Sequence, residues 1–356
     1  MPDLLTQWYG EERLARDEAI ARRFWAGEGR AVATLMLWPF PYRQSFDDET
    51  MLTAAPQHLQ ATAGLPGLGA PCFHADFGTI STARYWGGET EFGQGSNIHL
   101  KPVARNLEQA LALVPAAVDD PQHDAAHALR LYHQLRERLE TDKLWLRTPD
   151  FQGVLTTAGL IVEQTELLMG LVADPDLAHQ FLDRVCDFLI SYGQYLKRET
   201  GGRVCGNIWP DTFLPCDVGM SFTEDFMPLL SPDTYREYAL PVLRRLQDAF
   251  GGLHIHCCGE YGRHAATLAD ESLNVLALES HHPLTKLEEL EPLAPRTVFI
   301  PFLNGWVRGG FATTLEFFEH LLNNTPEHYR YWFIVSEDTP EAREFVTRVM
   351  NEYAPG

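Results

Sequence analysis

The chain has 356 residues, long enough for one large α/β barrel or for two domains. A hydrophobic share of 45% and a charged share of 22% are those of an ordinary globular protein. The formal net charge of −21 excludes a broad nucleic-acid-binding face. The six cysteines (72, 186, 205, 216, 257 and 258) keep no disulfide-like rhythm. The adjacent pair Cys257 and Cys258 fits a reducing compartment and a cytoplasmic enzyme. No basic region followed by an apolar run opens the chain, and no stretch approaches about 18 apolar residues. Neither a secretion signal nor a membrane span is therefore expected.

Residues 8–27 alternate charged and apolar residues at helical spacing and stop at Gly27 to Gly29. This predicts an amphipathic helix within an N-terminal extension over residues 1–30. Ala31 to Trp38 reads as a strand. Residues 64–71, Gly-Leu-Pro-Gly-Leu-Gly-Ala-Pro, predict a loop, because Gly and Pro break both periods. Cys72 to Gly78 is strand-like and puts His74 and Asp76 on one face. Residues 84–100, Gly-rich and polar around Trp86, predict a structured loop over a cleft. Residues 105–140 predict partly solvated helix, and residues 144–160 a strand followed by a Gly-containing loop.

The apolar stripe Leu177, Phe181, Val185, Phe188, Tyr192 and Leu196 predicts a long helix packed on a sheet. Residues 203–220 are apolar but interrupted by Pro210 and Pro215. Glu224 and Asp225 lie in a loop that leads to Ser231-Pro232, an N-cap followed by Pro at the first helical position. That helix continues through Leu246.

The most chemical stretch follows at residues 251–260, Gly-Gly-Leu-His-Ile-His-Cys-Cys-Gly-Glu. With a side-chain period of two, His254, His256 and Cys258 face one side, and Leu253, Ile255 and Cys257 face the other. Neutral imidazole and thiolate are preferred zinc donors, so His256 and Cys258 are the candidate metal ligands. A His-x-Cys pair alone also fits a buried histidine beside a small apolar thiol, so the surrounding chain decides.

Strand-like runs recur at 253–258, 273–279, 297–303 and 331–336, with helical stretches around 261–269, 285–293 and 313–322 between them. A last helix starts at Thr339-Pro340. Strands apolar at nearly every residue, alternating with helices, predict a parallel sheet covered on both faces. A closed (β/α)8 TIM barrel and an open doubly wound sheet both fit. The runs end in polar residues, among them Cys258, Glu260, Glu279, His281, Asn304, Ser336 and Glu337, and barrel strand ends converge on one site. No Gly-x-Gly-x-x-Gly follows a strand and no Gly-Lys-Ser/Thr loop is present, so a nucleotide fold loses its support.

His256-Cys257-Cys258-Gly259 resembles the His-x-Cys-Gly motif of the uroporphyrinogen decarboxylase superfamily, in its cobalamin-linked, zinc-dependent methylcobamide:coenzyme M methyltransferase branch. Ser231-Pro232 through Pro241 is similar to the superfamily's Ser-Pro helix. Glu224-Asp225 sits where it carries an acidic residue, and Thr339-Pro340 resembles its closing Thr-Pro. The resemblance covers residues 70–355. It implies one (β/α)8 barrel domain over 1–356, with the site at the mouth.

The decarboxylase branch resembles this chain less. Residues 31–46 carry only Arg43 where those enzymes have an Arg-rich grip, and their Gly-Asn-Leu-Asp-Pro turn reads Phe302-Leu303-Asn304-Gly305-Trp306. A polyanionic substrate needs several cations. The methyltransferase branch adds a Cys before its Thr-Pro, whereas residues 333–338 contain none. Cobalamin-independent methionine synthases, which resemble this branch, use a Glu at a similar remove from their His-x-Cys. The resemblance therefore implies Glu279 as the third zinc ligand, with Glu337 second. Glu279 also fits a carboxylate that hydrogen-bonds a ligand His.

The expected activity is zinc-dependent methyl or alkyl transfer to or from a thiol, and the resemblance implies a corrinoid, carried by a partner protein, as one methyl donor that fits. Asp225 is the candidate base or substrate-orienting group. Asp76, His254 and Asn304 are candidate substrate contacts, and Trp86, Trp209 and Trp306 candidate cleft walls. His254 fits a core histidine with its nitrogens satisfied somewhat better than a substrate contact. The exposed helical layer permits a homodimer. Two other readings fit: a metal-free decarboxylase or lyase on a smaller acid with Asp225 as proton donor, and a non-catalytic binding homologue.

Overall fold

The apolar runs of the sequence form short parallel strands. The computed structural model describes residues 3–37, 47–92, 98–207, 212–305, 307 and 309–356. Its strands are β1 (Ala31–Leu35), β2 (Cys72–His74), β3 (Thr90–Phe92), β4 (Ile98–Leu100), β5 (Trp145–Thr148), β6 (Val204–Asn207), β7 (Met220–Thr223), β8 (Leu253–His256), β9 (Val275–His282), β10 (Val298–Leu303) and β11 (Arg330–Val335). Among the strands of the described residues, only β3 and β4 pair antiparallel, as a small hairpin.

Two parallel sheets share one interior. One runs β1-β11-β10-β9-β8-β7 and the other β2-β5-β6. They meet twice. Beyond β5, Gln152 bridges Thr223 of β7. On the other side Gly67 bridges Thr34 of β1, and Leu68 N–H donates to the Ala33 carbonyl at 2.9 Å. Val32, Cys72, Trp145, Cys205, Ile300 and Trp332 pack together inside, drawn from both sheets. A shared interior is the property of a barrel and not of an open sheet, so the expected TIM-type α/β class holds.

The N-terminal segment closes the bottom of this barrel. It forms two helices, Leu4–Tyr9 and Glu11–Trp25, rather than one, because Gly10 turns the chain at φ 77°. Trp25 stacks on Trp332 with ring centroids 5.2 Å apart, and its indole N–H donates to the Phe213 carbonyl at 2.8 Å. The indole N–H of Trp332 reaches Thr34 Oγ1 at 3.0 Å. Two large buried rings with satisfied N–H groups make this floor stiff.

The long stripe folds as helix Pro175–Glu199, and Ser231 caps helix Pro232–Phe250 through Thr234 N–H. Thr339 caps helix Pro340–Glu352, which packs on β1. Other expectations give way. The 105–140 helix splits into Leu107–Ala112 and Asp124–Leu139, because Pro115 and Pro121 lie between. The loop expected after β5 contains helix Val154–Ile161, and the helix at 285–293 is a tighter turn, Leu287–Leu293. Helix Asp48–Thr62 was not anticipated, although Asp47 caps it. Trp86 is not a cleft wall: it is buried against Phe181 and Phe188. Trp38, Arg43, Trp209, Pro210 and Trp306 lie outside the described residues. No helix among the described residues is long and apolar enough to cross a membrane.

Trp332→Ala should cost about 3–5 kcal/mol, because it empties the barrel floor and strands Trp25. Equilibrium urea unfolding measures this directly. A loss under about 1 kcal/mol would show that the floor is not a packed layer.

Candidate metal centre

The centre is built at the ends of two neighbouring strands. β8 and β9 pair in parallel with His254 opposite Ala277. The period of two then puts His254 and His256 on the interior face of β8, and Ala277, Glu279 and His281 on that of β9. Cys258 follows His256 just past the strand end. His256 Nε2 lies 3.1 Å from Cys258 Sγ, and its Nδ1 lies 2.7 Å from Glu279 Oε2. The other oxygen of Glu279, Oε1, meets Nε2 of His281. One nitrogen of each ring and the Cys258 sulfur all lie within 4.8 Å of one another.

Glu279 is fully buried, and a buried carboxylate needs partners that stabilise its charge. Burial alone pushes its carboxyl up, but His256 and His281 overcome this and hold it at about 2. Burial likewise pushes His256 down, and the Glu279 carboxylate and Cys258 lift it well above its ordinary value. Phe302 stacks on the His281 ring at 5.4 Å and 15°. The Tyr261 hydroxyl donates to the Glu279 carbonyl. Phe302 thus fixes the plane of the His281 ring.

The peptide Glu224-Asp225, just beyond β7, secures the β8 end. Glu224 N–H donates to the His256 carbonyl at 2.8 Å, and Asp225 Oδ1 accepts the Cys258 N–H at 2.8 Å. Past Cys258, Thr285 Oγ1 donates to the Gly259 carbonyl at 3.1 Å and accepts the Tyr261 N–H at 3.0 Å. Gly259 must lack a side chain: a Cβ there would lie 2.4 Å from Pro228 Cγ. Only Cys258 of the six cysteines is exposed, and Cys257 turns into the core, where burial pushes its thiol up.

The other residues singled out from sequence are dispersed. His254 is fully buried one step below, beside Trp25, with Nδ1 3.4 Å from Thr212 Oγ1. Burial holds it neutral, near 3. Asp76 is buried just after β2 and accepts the Gly78 N–H at 2.9 Å. Asn304 is half-buried after β10 and accepts the Val307 N–H at 3.1 Å. Glu337 is exposed beyond β11 and lines a surface cavity with Ser336 and Thr339.

Sequence reasoning gave no role to His281 or to the Glu224 side chain. The period of two that selected His256 and Cys258 also pairs Glu279 with His281, so a signal existed. Glu224 left none. Its Oε1 accepts the Thr156 N–H at 2.9 Å and the Thr156 hydroxyl at 2.8 Å, capping helix Val154–Ile161 from a strand far along the chain. A Cβ on Gly153 would meet Glu224 Oε2 at 2.3 Å.

Comparison with known proteins supplies the context. Residues 77–299, well over half of the chain, match the profile of the family described as uroporphyrinogen decarboxylase (URO-D). A methylated-thiol–coenzyme M methyltransferase of Methanosarcina mazei is 33% identical over 113 residues, 32% of this chain and 27% of that protein. The match thus spans only about a quarter of that relative's length. A solved methyltransferase from Methanosarcina mazei shares the fold with a TM-score of 0.65 at 16% identity, covering 94% of this chain and 98% of that one.

Burial raises the Glu224 carboxyl from its ordinary 4.5 to about 7, despite the Thr156 hydrogen bonds that pull it down. The folded chain thus binds that proton more tightly than the unfolded chain does. The stability linked to it is complete below the unfolded pKa and is lost as pH rises through the folded one. Urea unfolding of Glu224→Gln and wild type at a series of pH values isolates this slope. The difference should shift in favour of the variant between pH values of about 5 and 8, and a flat difference would refute the raised carboxyl.

Proposed function

We propose, for a chain that belongs to the uroporphyrinogen decarboxylase (URO-D) family, that it is a zinc-dependent methyl or alkyl transferase acting on a thiol. The observation that carries this reading is the His256–Cys258 pair at the barrel mouth, with Glu279 buried behind it. The name of the Methanosarcina mazei relative, a methyltransferase of a methylated thiol and coenzyme M, supports the same chemistry.

The residues fit a zinc ion. Two imidazole nitrogens and a sulfur converge within ligand reach, and zinc prefers these donors. A buried carboxylate behind ligand histidines is the usual support of such a site, because it fixes the tautomer and raises donor basicity. Zinc bound there stabilises a substrate sulfur as the thiolate near neutral pH.

The chain's own groups do the rest. His256 and Cys258 hold the metal. Glu279 keeps the His256 ring oriented. Asp225 fixes the Cys258 backbone and stands at the exposed lip, where its carboxylate orients the incoming thiol or takes up its proton. Asp76 and Asn304, at the ends of β2 and β10, serve as substrate contacts, and His254 forms the neutral floor beneath. A corrinoid on a partner protein is the proposed methyl donor. Free thiols at every cysteine fit the cytoplasm as its location.

The family match also favours a second reading, decarboxylation of a smaller acid without metal. Elemental analysis of the purified protein separates the two. The proposal expects about one zinc per chain, lost in both His256→Ala and Cys258→Ala, together with methyl transfer from methylcobalamin to a thiol. Wild-type protein that takes up no zinc sinks the transferase reading and leaves decarboxylation ahead.

A further inference from the structure

We infer that His281 is the third metal donor of this chain, and that Glu279 is the shared support of two ligand histidines rather than a ligand. The inference rests on the zinc reading above and refines it. Sequence resemblance points elsewhere, to a second Cys before Thr339 or to Glu279. Residues 333–338 contain no Cys, and Ser336 follows the end of β11. The donor set must be completed from another strand.

Three observations converge on His281. Its ring nitrogen, His256 and Cys258 form the one cluster of potential ligand atoms found among the described residues. Glu279 engages Nε2 of His281 and Nδ1 of His256, and Nε2 of His256 lies beside Cys258. Stacking on Phe302 then sets the plane of the ring. Glu279 itself is fully buried, with one oxygen against each imidazole. A metal drawn to that carboxylate would displace both rings from it.

The donor count has a chemical consequence. One thiolate and two neutral imidazoles leave a zinc dication with one net positive charge, whereas two thiolates leave none. The Glu279 carboxylate behind the rings offsets that remaining charge.

Zinc affinity by chelator competition, with cobalt-substituted spectra as a second readout, tests this. His281→Ala should weaken zinc by more than about 100-fold. Glu279→Gln should weaken it by the roughly 10- to 100-fold expected for a supporting partner. His281→Cys should recover affinity and add a second thiolate-to-cobalt charge-transfer contribution, which also guards against a variant that merely misfolds. His281→Ala weakened by less than about 10-fold, with zinc lost in Glu279→Gln, overturns the inference and returns the third position to Glu279. In that outcome the zinc reading still stands. A wild-type chain without zinc removes the earlier reading itself.

Discussion

A carboxylate with no exposure to water holds this centre together. Left alone, the charge of Glu279 would be expelled or neutralised by burial. It persists because two imidazoles on adjacent strand positions meet its two oxygens. The His256 ring has Nδ1 at the carboxylate and Nε2 beside Cys258, and the His281 ring meets the carboxylate through Nε2. The placement of the two imidazoles thus follows from the requirement to satisfy one buried charge.

The barrel supplies what that arrangement needs. Parallel pairing of β8 and β9 brings His256 and Glu279 side by side, and continuation of β9 beyond Glu279 carries His281 to the mouth. The Glu224-Asp225 peptide then pins the carbonyl of His256 and the amide of Cys258. The same Glu224 side chain caps the helix after β5, so the helix layer and β8 share one support. Below, Trp25 and His254 close the interior, which keeps water away from the back of the centre.

Much of this was legible in the sequence. Strands buried on both faces show apolar runs without alternation, and β8 to β11 stood out for that reason. His256 and Cys258 were visible because polar ligand atoms on one face of an otherwise apolar strand need a cause. The position of Glu279 came from resemblance, and its partnership with two histidines did not, because it depends on register between strands. The cap that Glu224 gives to helix Val154–Ile161 joins residues 68 positions apart and leaves no local pattern. Trp86 misled for the converse reason: a Gly-rich neighbourhood suggested a cleft, while Phe181 and Phe188 of a distant helix bury the ring. Local chemistry exposes strand faces and caps, whereas pairing across the chain is written only in the fold.

One thiolate and two histidines form the proposed metal site. X-ray absorption at the zinc edge of the loaded wild-type chain tests it most directly. The expected shell has one sulfur at about 2.3 Å and two imidazole nitrogens at about 2.0–2.1 Å. A shell with two sulfurs, with no sulfur, or with a single imidazole would contradict it.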